Sequence, residues 1–115
     1  MQSPNTSQYV SEACWGSIWT RPGLSRATRS LLNIVMLCCQ NRGQELATHV
    51  KGALVNGCSE IEIREAILQA ACYCGMPAGI EGFRVAGKVL QEWKESGGVA
   101  NAPQTTNQTR EQGNY

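Results

Sequence analysis

Aromatic residues are scarce. They make up 6% of the 115-residue chain, so Leu, Ile, Val and Ala must do most of the packing. Histidine is scarcer still, with His49 alone, and any imidazole chemistry therefore rests on one residue. Net charge is nearly absent at +1, and the basic residues are scattered rather than gathered in a stripe. That balance excludes a long-range field able to recruit nucleic acid or an anionic membrane surface. The opening MQSPNTSQYVSEACW lacks the basic-then-apolar order of a secretory signal. No apolar run reaches the ~20 residues needed to span a bilayer. The expectation is a soluble, cytoplasmic protein with no membrane and no nucleic-acid partner.

Hydrophobic residues make up 42% and charged residues 17%, a globular composition for one small domain. A core of this size is often completed by a partner subunit, so a homo-oligomer is expected. Six cysteines are present. Without a secretory signal, a disulfide scaffold is a poor reading. Cys38, Cys39, Cys72 and Cys74 lie within apolar segments, as small buried hydrophobes do. The expectation is reduced, mostly buried thiols.

No segment sustains period-two alternation, and the apolar residues recur at helical spacing. The chain reads as an all-α, compact antiparallel domain of about five helices over 9–96. Residues 97–115, rich in Gly, Asn, Gln and Thr, read as a flexible polar tail or one draped on a neighbour. The first helix covers 9–18, and Pro22–Gly23 then breaks the chain. Ser25 caps a second helix running to Cys39, whose nearly continuous LLNIVMLCC predicts burial on most sides. QNRG at 40–43 is a break. A third helix spans 44–56, with Leu46, Val50, Ala53 and Leu54 as its stripe and Gly57 at its left-handed end. Ser59 and Glu62 form a capping box for the fourth helix, which carries Ile63, Ile67, Ala70, Ala71 and Cys74. Pro77 opens a fifth helix reaching Glu95. Its expected apolar members are Ile80, Phe83, Val85, Val89, Leu90 and Trp93.

Glu45 and His49 stand at i, i+4 on the third helix and so share a face. A carboxylate beside an imidazole favours the imidazolium and fixes its orientation, and such a pair can hold a proton ready near neutral pH. By spacing alone the pair is more often a surface contact worth a few tenths of a kcal/mol. A metal site finds little support, with one histidine and no CxxC. Cys72 and Cys74 sit about 200° apart around a helix, so they do not face one ion or bridge each other. Neither Cys38–Cys39 nor Cys72–Cys74 has dithiol-enzyme spacing. Arg21, Arg26 and Arg29 flank the turn before the second helix, and arginine grips carboxylates bidentately. Trp15 and Trp19 are pocket-wall or core candidates.

WTRPGL at 19–24, TRSLL at 28–32, the NRGQEL…H run from Asn41 to His49, and AxYCGxPA from Ala71 to Ala78 together resemble the carboxymuconolactone decarboxylase family. The resemblance covers about 9–95. It implies an all-helical, alkylhydroperoxidase-D-like fold assembled as a trimer or hexamer. The redox relatives carry CxxCxxxH. With their histidine on His49, their cysteines fall at Arg42 and Glu45, so the usual peroxide-reducing dithiol is absent here. The family's decarboxylases usually carry a further helical stretch before the Trp-rich turn. This chain begins near that turn, which implies a more open pocket or one covered by a partner subunit.

The activity implied is lyase chemistry on a small anionic lactone resembling 4-carboxymuconolactone, without metal or organic cofactor. Loss of CO2 leaves electrons that spread into the lactone carbonyl. A donor must hold that oxyanion and an acid must then protonate carbon. His49 is the implied acid or oxyanion donor and Glu45 its orienting partner. Arg21 and Arg29 are the candidates for the substrate carboxylates, with Trp19, Cys72 and Tyr73 as further substrate-binding positions. Two other functions fit the same scaffold: a decarboxylase or isomerase tailoring a specialised lactone or polyketide, and a non-catalytic helical oligomer or accessory subunit.

Overall fold

The computed structural model describes residues 6–102. Residues 103–115 of the expected tail, and the side chains of Cys14 and Trp15, lie outside that description. Four helices form the domain: α2 (Arg26–Cys39), α3 (Gly43–Val55), α4 (Glu60–Cys74) and α5 (Met76–Glu95). Ahead of them, α1 (Thr6–Val10) continues as a π-helical segment, Ser11–Ile18. Among the described residues there is no strand, and no helix is long and apolar enough to cross a membrane.

Short connections make sequential helices antiparallel, so α2 and α4 run one way and α3 and α5 the other. Each sits against two neighbours in the ring α2–α3–α5–α4, while the diagonal pairs touch little. Among the described residues the α1 arm packs on none of the four.

The punctuation expected from sequence sets these boundaries. Ser25 accepts from the Thr28 amide, and Ser59 with Glu62 completes a reciprocal capping box. At the end of α3, Gly57 takes φ 96°. The amides of Gly57 and Cys58 then close on the carbonyls of Leu54 and Ala53, satisfying acceptors the helix leaves open. Asn41 does the same for α2 at φ 56°, a conformation that asparagine tolerates better than most side chains.

The core is one cluster drawn from all four helices, with Ile34, Leu46, Val50, Ile63 and Ile67 among its fully buried members. Trp93 and Leu90 pack against its edge. Gly79 and Gly82 let α5 approach closely. A Cβ on Gly79 would overlap that of Ala71, and one on Gly82 would stand 2.8 Å from Cys38 Sγ.

Three expectations need correction. First, α2 is not buried on most sides: Leu32 and Met36 are about half exposed, at 47% and 50%. A ring of four helices covers one stripe of each member, here Ala27, Ser30, Ile34 and Cys38. Second, Ile80 and Phe83 lie on the exposed side of α5, and the helix buries Gly79, Gly82, Val85 and Ala86 instead. The small residues win the inner face because the α4–α5 approach leaves no room for larger ones.

Third, the cysteines are not uniformly reduced and buried. Cys39 and Cys74 are joined as a disulfide with Cα atoms 5.3 Å apart, both on exposed positions. Cys38 and Cys58 are buried and free, and Cys72 is exposed and free. Adjacent helical residues diverge by about 100°, so of Cys38 and Cys39 only one can face the core. The parallel course of α2 and α4 brings their last residues to the same end of the bundle, where the two exposed thiols meet.

Beyond α5 the chain turns back on its own domain. Trp93 Nε1–H donates to Val99 O at 3.2 Å. The Asn101 amide donates to Leu54 O and Cys58 O at 2.9 and 2.8 Å.

Candidate active site

One hydrogen bond fixes the register of α2 on α3: Asn56 Nδ2–H donates to Ser30 Oγ at 3.0 Å. Seven residues before Asn56, two turns along the same helical face, stands His49, with Glu45 one turn further. The sole histidine therefore borders the α2–α3 seam. It is half-buried and makes no hydrogen bond to a described residue, so its ring nitrogens are open to a ligand. Gly52 lies between His49 and Asn56 on this face, and a Cβ there would meet nothing within 4 Å. Asn33, half-buried three residues after Ser30, interrupts the apolar run of α2 on this side.

Glu45 turns away from the arrangement read from spacing. Its recorded partner is Arg42, with Nη1–Oε1 at 3.9 Å, and both side chains are more than half exposed. An ion pair so exposed is worth at most about 1 kcal/mol, and the carboxylate keeps His49 within i, i+4 reach. Positions 42 and 45 are those at which the redox relatives carry their dithiol. Here they hold opposite charges. Arg42, Ser30 and Asn56 were not singled out from the sequence. Arg42 at i−3 of Glu45 was legible there, whereas the Ser30–Asn56 contact joins residues 26 apart and has no local signal.

The remaining candidates divide into two groups. Arg21 and Arg29 come together at the start of α2, where Arg29 Nη2–H donates to Arg21 O at 3.5 Å. Arg29 Nε is buried without a hydrogen-bond partner, an orphan donor that an anion would satisfy. Trp19 is half-buried just before this turn. Arg29 neighbours Ser30, so it is level with Asn56. Seven helical residues separate that level from His49, a rise of about 10 Å, and the bond to Arg21 draws the guanidinium further away. Cys72 and Tyr73 lie on α4, diagonally across the ring from α3, and both are exposed. The structure thus pairs Glu45 with Arg42 rather than with His49, brings Arg21 and Arg29 together near the start of α2, and leaves Cys72 and Tyr73 exposed on α4.

The buried thiols are poor nucleophiles. Burial raises the Cys38 pKa. Burial and then the Glu62 charge push Cys58 up to about 11, which keeps it a neutral thiol near neutrality.

The described domain is all-α, with antiparallel helices and one half-buried histidine that has no hydrogen-bond partner among the described residues. Comparison with known proteins places it. The profile of the carboxymuconolactone decarboxylase family matches residues 4–88. Nitrosuccinic acid decarboxylase from Metarhizium robertsii is 43% identical over 90 residues, covering 78% of this chain and 63% of that protein. The 4-carboxymuconolactone decarboxylase of Acinetobacter baylyi is 37% identical over 84 residues, covering 73% and 63%. This chain belongs to the carboxymuconolactone decarboxylase family. It spans less than two thirds of the length of either relative.

Proposed function

We propose that the protein is a cofactor-free decarboxylase acting on a small anionic lactone of the 4-carboxymuconolactone type, with His49 as its proton and oxyanion donor. The observation that carries this is the sole imidazole, half-buried on the α2–α3 seam and without a hydrogen-bond partner among the described residues. The bond from substrate carbon to the departing carboxyl breaks, and its electron pair passes to the conjugated carbonyl oxygen. An imidazolium N–H stabilises that oxyanion, and the carbon then takes a proton. Glu45, one helical turn from His49, acts on it as a positioning residue once the carboxylate leaves Arg42. Arg42 adds a cation at the same end. The orphan Nε of Arg29 suits a second carboxylate, provided substrate binding draws that side chain off Arg21 O.

A second reading is supported by the 43% identity to a nitrosuccinic acid decarboxylase. A nitro group takes up the electron pair left by CO2 as a lactone carbonyl does, and nitrosuccinic acid keeps a second carboxylate after losing one. The same residues would serve either acid.

A homo-oligomer, trimer or hexamer, accompanies this reading. Its support is an α1 arm that, among the described residues, packs on none of α2 to α5. The exposed apolar residues Leu32, Met36, Met76 and Ile80 support it too.

CO2 release from 4-carboxymuconolactone and from nitrosuccinic acid, measured with wild type, His49→Ala and Glu45→Gln, tests the assignment. The expected result is turnover of at least one acid, lost by about 10²-fold or more in His49→Ala and reduced less in Glu45→Gln. Equal turnover by all three proteins would place the chemistry elsewhere.

A further inference from the structure

We infer that the foot of the α4–α5 groove is a second small-molecule site, separate from the α2–α3 seam, for an amphipathic carboxylic acid with an aromatic or branched apolar body. A cavity of about 260 Å³ lies there, walled by Leu54, Ile61, Leu90, Trp93 and Val99, with Arg64 at its side. Its outer wall is the strap 98–101, and three hydrogen bonds hold it: Trp93 to Val99, and Asn101 to the carbonyls of Leu54 and Cys58. Gly98 lies so close over the Trp93 indole that a Cβ would enter the ring. The pocket is therefore built by specific contacts rather than left as a gap between helices.

Charge selects the ligand class. Glu60 and Lys94 also line the cavity and are paired to each other at 3.0 Å. Arg64 pairs with no carboxylate among the described residues. The rim thus holds two cations to one anion, with one guanidinium uncommitted. An apolar body would lie on Trp93, Leu90 and Ile61 while its carboxylate met Arg64. The space suits an acid of roughly a dozen heavy atoms.

4-Phenylbutyrate and its neutral amide are suitable probes, read through the Trp93 indole N–H resonance assigned by loss in Trp93→Phe. The full chain should bind the acid saturably, shifting that resonance. The amide should bind about 5–10-fold more weakly, the effect of one partly solvated charge-assisted contact. Arg64→Gln should weaken the acid by a similar factor and leave the amide unchanged. His49→Ala should bind both as wild type does, which separates this site from the proposed catalytic one. No shift with millimolar acid would overturn the proposal, as would an acid affinity untouched by Arg64→Gln. So would a Trp93 shift that tracks protein concentration without ligand, because a second copy would then fill the pocket.

Discussion

Replacing Gly79 by Ala separates two effects that oppose each other. An exposed helical Gly→Ala change stabilises by about 1 kcal/mol through propensity alone. At position 79 the added Cβ would overlap the Cβ of Ala71 and stand 3.2 Å from its Cα. Carbon atoms in contact sit about 3.5–4.0 Å apart, and neither alanine has a rotamer with which to yield. The α4 and α5 backbones must separate, and overpacking of this kind costs typically ~1–3 kcal/mol. With no side-chain relief the upper end applies, so Gly79→Ala should lose about 2 kcal/mol net, a fall in Tm of roughly 8–16 °C for a domain this size. Gly87, on the exposed side of the same helix with nothing within 4 Å of its Cβ position, is the control. Gly87→Ala should gain about 1 kcal/mol. Urea unfolding followed by circular dichroism measures both. Adding Ala71→Gly to Gly79→Ala should recover part of the loss, giving a favourable coupling of about 1 kcal/mol or more in the double-mutant cycle. Gly79→Ala as stable as Gly87→Ala would refute the close crossing and with it the packing account of α5.

The disulfide offers a second test. Cys39 and Cys74 are 35 residues apart in sequence, a loop whose closure is worth about 4 kcal/mol in the chain-entropy account. Reductant, or Cys39→Ser, should lower unfolding stability by about 2–4 kcal/mol. An unchanged midpoint, or a non-reducing mass spectrum showing both thiols free, would argue against the bridge. Ser59→Ala should cost about 1 kcal/mol by opening the capping box of α4, with Ser59→Asp close to wild type. Cys58 makes the alkaline limb pH-dependent: its thiol is held up at about 11 against an ordinary value of 9.0, so the folded state keeps a proton that the unfolded state releases. Its contribution is complete below pH 9 and is lost as pH rises towards 11. Cys58→Ala, compared across that range, should flatten the decline. Below pH 9, alkylation of the folded protein should mark Cys72 ahead of Cys58.

The helix boundaries were legible because they depend on local chemistry. Ser25, Gly57, Ser59–Glu62 and Pro77 act on the backbone within a few residues, and the structure starts and stops its helices there. Burial was less legible because it depends on which neighbours arrive. LLNIVMLCC contains no information about how many helices will surround it, and the exposure of Leu32 and Met36 follows from a ring of four. The composition of α5 misled in a related way. Ile80 and Phe83 looked like core by size, but the inner face had to be small for α4 to approach. Cysteine burial failed for a topological reason, since only the parallel course of α2 and α4 brings Cys39 to Cys74.

The candidate site shows the same division. Glu45 and His49 are neighbours by helical spacing, and that placement needed no tertiary information. What the spacing could not supply is the competition for Glu45. Arg42, one turn earlier on an exposed helix end, takes the carboxylate and leaves the imidazole open. That competition bears on the chemistry. A carboxylate locked to His49 would hold one proton in a fixed pair, suited to a constant general base. A carboxylate shared between Arg42 and His49 has a resting partner and an alternative one. An anionic substrate that drew Arg42 to itself would release Glu45 towards the imidazole, orienting the ring when a proton donor is required. On this argument Arg42→Gln should weaken substrate binding and also change kcat, because Glu45 would have lost its resting partner. An effect on KM alone, with kcat unmoved, would reduce Arg42 to a simple anion contact.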